Sequence, residues 1–320
     1  MKVRLGYVAM SSMLQDCSPS KTVTASNLVK IDSQEARYSR LLSLARENLH
    51  NTMRLFLHNQ AHDVKVFRLT SKLIPLATHP LAEDWNWYDQ LQEQLASLGE
   101  YARKNGFRLS AHPDHYTLLN SPRDEVIAAS LRDLEYHHQI FQAMKMDSSA
   151  KLVIHVGGSY KNKKESVQRF KENFALMPAD IRSQIVLEND DKIFTVADVL
   201  DLCYQMNIPM VLDIHHHWCN NQGDNISDYF ADIISTWKQE PFPPKVHVSS
   251  PRNKKNIRAH ADYVDVEFFM SFINQIRDYN TDIDIMIEAK QKDGALFQLM
   301  NDLKKVRSIK ILDEASILVG

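Results

Sequence analysis

Short apolar runs and longer segments of helical spacing alternate along almost the whole chain. Eight β-like runs fall at 3–9, 64–69, 107–112, 152–156, 185–188, 210–213, 245–248 and 283–288. The first, second, fourth and sixth are rich in Val, Ile, Leu or Phe, as strands covered on both faces should be. Between them, 35–60, 85–105, 124–144, 166–174, 196–206, 226–238 and 266–279 carry helical periodicity and good helix formers. Ser121-Pro122 and Thr195 stand where helix caps belong. Such alternation predicts a parallel α/β protein. Eight repeats in a 320-residue chain fit a closed (β/α)8 TIM-like barrel, a single domain over 1–320. An open doubly wound sheet is the other arrangement with this pattern, but neither a dinucleotide fingerprint nor a phosphate loop occurs to favour it.

The polar residues fall at telling places. Strand three ends on His112, strand four on His155 and strand five on Glu188-Asn189-Asp190. Strand six ends on Asp213-Ile214-His215-His216-His217, strand seven holds Lys245 and His247, and strand eight closes on Glu288. Taken singly, a histidine there is most often a hydrogen-bonded structural residue, and a carboxylate a helix cap. Six consecutive strand ends are another matter, because the strand ends of a barrel converge on one face. Crowded buried imidazoles and carboxylates need something to compensate their charge and lone pairs, and cations do so directly. Imidazole and carboxylate without thiolate suit Mn, Zn, Fe or Co. The set exceeds the needs of one ion, so two or three ions, some bridged by Glu188, are expected. Hydrolysis of a phosphodiester is the natural use of such a cluster. Strand alternation puts Lys245 on the face of His247. There its amine is either neutral or modified; alternatively it precedes the strand and reaches solvent.

Composition refines this picture. Formal net charge is −2, so any nucleic acid must be held by local patches and not by a global basic field. Two such patches follow strands four and seven: Lys161, Lys163 and Lys164 with Arg169 and Lys171, and Arg252, Lys254, Lys255 and Arg258. Both lie in βα loops on the side of the strand-end cluster, where they would meet backbone phosphates. Cys17, Cys203 and Cys219 have no metal-ligand spacing and suit a reducing cytoplasm. No apolar run is long enough to span a membrane, and the N-terminal residues read as a first strand and not as a signal peptide.

At these residues the sequence resembles the UV-damage endonuclease family. The resemblance runs through Gly6-Tyr7, the stretch ending Thr78-His79-Pro80, His112-Pro113, His155 to Tyr160, and Glu188-Asn189-Asp190. It continues through Asp213 to His216, Pro244 to His247, Ala259 to Asp262 and Glu288-Ala289-Lys290. It implies a barrel with three divalent metal ions, manganese preferred, that nicks double-stranded DNA immediately 5′ of a UV photoproduct. Its metal-site residues would be His79, His112, His155, Glu188, Asp213, His216, His247, His260 and Glu288. The resemblance further implies that Lys245 can be carboxylated, and that His115 and Tyr116 enter the duplex opposite the lesion. His115 stands where the family commonly has glutamine, and an imidazole adds a charge that depends on pH. Tyr7 would face the scissile phosphate or the extruded lesion, unless it only packs the barrel mouth. Two rival metal-barrel readings are an enzyme acting at abasic sites and a sugar isomerase; a third is a DNA-damage-binding protein without catalysis. The chain is expected to act as a monomer.

Overall fold

A computed structural model describes all 320 residues. Seven strands come first: β1 (Lys2–Val8), β2 (Val66–Leu69), β3 (Arg108–Ala111), β4 (Lys151–His155), β5 (Ile185–Glu188), β6 (Met210–Asp213) and β7 (Lys245–Val248). A hairpin follows, β8 (Pro251–Asn253) and β9 (Asn256–His260), then β10 (Ile283–Ile287), β11 (Ile309–Ile311) and β12 (Ser316–Val319). Strands β1 to β7 and β10 pair in parallel, and β10 closes the ring by pairing with both β7 and β1. This is the expected eight-stranded TIM-like barrel, and its strands match the eight apolar runs to within two residues at each end.

Alternation along each strand decides what faces the helices and what faces the barrel axis. In β1, Val3, Leu5 and Tyr7 are fully buried in the large core between strands and helices. Arg4 and Gly6 point the other way. A Cβ on Gly6 would lie 2.0 Å from the Val66 carbonyl oxygen, so only glycine lets β1 and β2 approach here. Val153, Val186 and Val211 form a small separate cluster with Trp237. By register, Val153 and Val186 share the faces of His155 and Glu188, two residues further on. The axis is therefore layered, with a valine belt beneath the strand ends.

Beneath the belt lies a charged floor. Arg4 donates twice to Asp284, at 2.6 Å each, and Arg108 donates to the same carboxylate at 2.6 Å. Arg108 is buried, with its guanidinium 5.0 Å from the Trp237 ring centroid and 5.2 Å from that of Phe242. Lys245 is the register partner of Asp284 and is buried beside these arginines.

Some elements differ from the sequence pattern. The run 226–238 divides into a 3-10 turn (Ile226–Asp228) and a short helix (Phe230–Thr236), while 266–279 ends in a 3-10 turn. The β8–β9 and β11–β12 hairpins and the helix Lys292–Leu303 were not expected. Thr195 caps its helix in a full capping box with Asp198. The Ser121-Pro122 expectation needs correction: Arg123 occupies the N-cap without a side-chain bond, and Ser121 Oγ accepts from the Arg123 amide. No helix is long and apolar enough to cross a membrane.

The floor depends on one carboxylate for two guanidinium groups, one of them fully buried. Asp284→Asn should therefore lower stability by about 3–5 kcal/mol, because an uncompensated buried charge is left behind. Urea denaturation reads this directly, and a loss under about 1 kcal/mol would place the arginines in a solvated environment instead.

Candidate metal centre

At the opposite end of the axis, the strand ends bring seven of the expected residues together. Three groups of ligand atoms form, with the atoms of each group within 4.8 Å of one another: His112, His155 and Glu188; Glu188, Asp213 and His216; and Glu188, His247 and Glu288. Glu188 belongs to all three. Its Oε2 lies 3.3 Å from His112 Nε2 and 3.7 Å from His155 Nε2. Its Oε1 lies 3.0 Å from His247 Nδ1 and 3.7 Å from His216 Nδ1. The carboxylate is buried at the end of β5, where the parallel register sets it beside His155.

Backbone carbonyls orient most of the imidazoles. The Nδ1 atoms of His112, His155, His216 and His260 lie against the carbonyl oxygens of Pro113, Glu188, Asn189 and Glu288, at 2.9, 3.3, 3.0 and 2.7 Å. A carbonyl only accepts, so each Nδ1 carries a proton and Nε2 is the nitrogen left to face a metal once its own proton is absent, the orientation a metal ligand requires. Asp213 is fixed by the helix that follows it: its Oδ1 accepts from the His216 amide at 2.7 Å. Asn189 clamps the same residue, accepting from its amide and donating to its carbonyl, both at 2.9 Å.

The donor set fits divalent cations. Glu188 Oε2, Asp213 Oδ2 and His247 Nε2 are buried here without any hydrogen-bond partner. Leaving three such atoms unpaired in one place is costly unless a cation takes them. The charges are also mutually distorted. Burial would raise Glu188, but the surrounding His247, His155 and His112 hold it well below the usual carboxylate range. Burial, with Glu188 and Glu288 nearby, pushes Asp213 up to about 7. For His216 burial acts downward, yet Asp213, Glu188 and Glu288 raise it to about 9.

The remaining expected residues divide. His260 sits at the rim, its Nδ1 4.0 Å from Glu288 Oε2. His79 stands apart from all three groups: its Nδ1 accepts from the Leu81 amide and caps a 3-10 turn. That bond puts the proton on Nε2, so His79 presents a donor where a ligand needs a lone pair. Tyr7 does not reach the mouth. It is fully buried among the helices, its hydroxyl donates to Asn59 Oδ1 at 2.5 Å, and Phe67 meets it edge-on. Packing is its role in this structure, because its position in β1 faces outward from the axis.

Lys245 is not at the surface, so the reading in which it reaches solvent is corrected. Burial, reinforced by Arg108, holds its amine well below the usual lysine range, with only Asp284 among its stronger influences opposing. Its Nζ has no hydrogen-bond partner. His115 and Tyr116 lie on the loop after β3, both exposed, with ring centroids 5.9 Å apart. Lys161 and Lys164 are exposed, whereas Lys163 is paired with Asp198 over the Phe194 ring. Arg252, Lys254 and Lys255 are exposed on the β8–β9 hairpin. Of the three consecutive histidines, only His216 belongs to a ligand group. His215 spends both nitrogens on Ser249 Oγ and the Ile257 carbonyl.

Arg68 escaped the sequence reading, yet it donates to Glu288 inside the mouth. The available signal was an arginine within an otherwise apolar strand. Asn189 escaped too, because a side chain that clamps backbone has no spacing to betray it.

Residues 3–318 match the family described as UV-endonuclease UvdE. The chain belongs to this family. Among similar UvdE-family proteins is the UV DNA damage endonuclease of Halalkalibacterium halodurans, 41% identical over 318 residues and 99% of each chain. The crystal structure of SacUVDE superposes with a TM-score of 0.83 at 33% identity, covering 95% of this chain and 99% of that one. Endonuclease IV from Thermus thermophilus shares the barrel fold, with a TM-score of 0.55 at 14% identity over 95% of this chain and 100% of that one.

The protonation pattern carries a consequence for metal uptake. His216 is protonated below about 9, and Asp213 below about 7, so a cation must displace those protons. Metal affinity should weaken as pH falls through this window, and binding at neutral pH should release protons. Calorimetric titrations in buffers of different ionisation enthalpy would show both; affinity independent of pH would contradict the ligand assignment.

Proposed function

We propose that this chain is a DNA-repair endonuclease that nicks double-stranded DNA immediately 5′ of UV photoproducts by multi-metal-assisted hydrolysis. The observation that supports it most is the sharing of Glu188 by three ligand groups at the barrel mouth. Glu188 would bridge, with His112 and His155 on one side, Asp213 and His216 on another, and His247 and Glu288 on the third. His260 would join from the rim. The cofactor proposed is a set of three divalent ions, manganese preferred. When bound, such ions neutralise phosphodiester charge and lower the pKa of water.

The chain's own residues do the rest. Asn189 and the backbone carbonyls behind the histidines keep the ligands in one orientation, so little reorganisation accompanies the reaction. Lys245 joins the proposal as a buried amine driven towards its neutral form, hence open to carboxylation. Lys161, Lys164, Arg252, Lys254 and Lys255 would meet backbone phosphates, while Lys163 contributes less because Asp198 already holds it. His115 and Tyr116 would fill the gap left by an extruded lesion. A photoproduct weakens stacking and pairing, so deforming the duplex there costs less than in intact DNA. Recognition would thus read distortion and tolerate several lesion types. The active species proposed is a monomer, one domain over 1–320, in the cytoplasm.

An end-labelled duplex with one cyclobutane dimer, incubated with protein and Mn²⁺ or with EDTA, tests the reaction. A single metal-dependent cut immediately 5′ of the dimer is expected. Cleavage only at an abasic site would transfer the chain to the first rival reading, and turnover of aldoses to the second. In the same assay Glu188→Gln should keep the fold, weaken metal binding and abolish nicking, since a neutral amide cannot bridge cations. Retention of most activity would remove Glu188 from the centre. Tyr116→Ala should cut irradiated duplex far less well than the parent protein; equal cutting would end the wedge role.

A further inference from the structure

Two cations beside the metal centre are neither ligands nor part of the outer basic loops. Arg68 projects from β2 towards the mouth and donates through Nη1 to Glu288 Oε1. Its other donors have no partner in the protein, and none is sealed away from solvent. They open on a cavity of about 270 Å³ that also meets Thr70, Ser71, His112, Asp114 and Glu288. Lys292 follows Glu288 by four residues, at the first turn of the helix Lys292–Leu303. It is half-buried, its ammonium has no hydrogen-bond partner in the protein, and the charged side chains acting on it are Arg68 and Glu288. Two cations therefore share one carboxylate, and that carboxylate is also claimed by a ligand group.

The backbone supports the same reading. Lys292 has φ of +52°, the left-handed region that L-residues other than asparagine and aspartate seldom occupy. Glycine would sit there without strain, so placing a lysine at this point costs stability.

We propose that Arg68 and Lys292 form a phosphate subsite beside the metal centre, taking one backbone phosphodiester of the DNA strand. The inference rests on the endonuclease reading and deepens it. Arg68 offers its free edge as a fork to the phosphate oxygens, and Lys292, whose ammonium feels Arg68 and Glu288, adds a point charge nearby. Neither residue is a metal ligand. They fix the strand relative to the centre, which separates this subsite from the exposed lysines of the outer loops.

The test measures duplex binding by fluorescence anisotropy against salt concentration, in EDTA, for the parent, Lys292→Gln and Lys292→Gly. Losing one phosphate contact should reduce the slope of log K against log salt by about one. Both variants should show this, with a raised KM for nicking and unchanged metal stoichiometry. Lys292→Gly should at the same time raise Tm, because it removes strain together with charge. A duplex whose contacted phosphate is replaced by a neutral methylphosphonate should bind the parent more weakly and the variants no differently. Unchanged slopes in both variants, with nicking by the parent intact, would overturn the subsite alone. Failure of the parent to nick irradiated DNA would overturn the endonuclease reading, and the slopes would still decide the subsite.

Discussion

A carboxylate in a protein interior is tolerated only when other charges hold it there, and Glu188 is the point at which this requirement organises the barrel mouth. His247, His155 and His112, all within 3.7 Å, keep it ionised despite burial. His112 and, on the far side, His216 are in turn fixed by contacts leading away from it, through carbonyls of the loops after β3 and β5. The arrangement is rigid from outside and under-satisfied inside, with unpaired lone pairs facing one another. A cation resolves that conflict where a proton cannot, because one proton serves one lone pair and an ion serves several.

The same rule governs the far end of the axis with opposite sign. There Asp284 is the minority charge, set among Arg4, Arg108 and Lys245. The valine belt separates the two regions, so the barrel carries an anion-rich mouth above a cation-rich floor. Lys245 belongs by position to the floor, although it shares a strand face with His247. Its amine responds most to burial and then to Arg108, and Arg68 of the mouth acts on it too.

Much of this was legible in the sequence, for a physical reason. Apolar runs ending on His, Asp or Glu state both the parallel barrel and the face on which its polar ends converge. Hence His112, His155, Glu188, Asp213, His247 and Glu288 could be read from the chain alone. The family resemblance selected His216 from three consecutive histidines, and the structure explains that choice through the bonds of His215. Periodicity could not reveal that Tyr7 faces the helices, because both faces of a barrel strand are buried and both tolerate an aromatic ring. Nor could it show that His79 holds its proton on the outward nitrogen, which depends on a local turn. Arg68 and Lys292 were missed together: one is a charge inside a strand, the other a lysine in an unfavourable backbone conformation.

Closure of the ring by β10 also bears on how the protein comes into being. β1 leaves the ribosome first, yet its partner along one edge is β10, so Val3 must find Ile283. Its other edge is shared by β2 and, through Lys2 to Arg4, by the antiparallel strand β12. Pairings so distant in sequence are slow to form and cannot form until most of the chain has been made. Glu288, Arg68 and Lys292 meet only at that closure. The nascent chain therefore has no finished mouth until β10 has been made, and a cation that needs all three ligand groups would be taken up after folding and not serve as its nucleus.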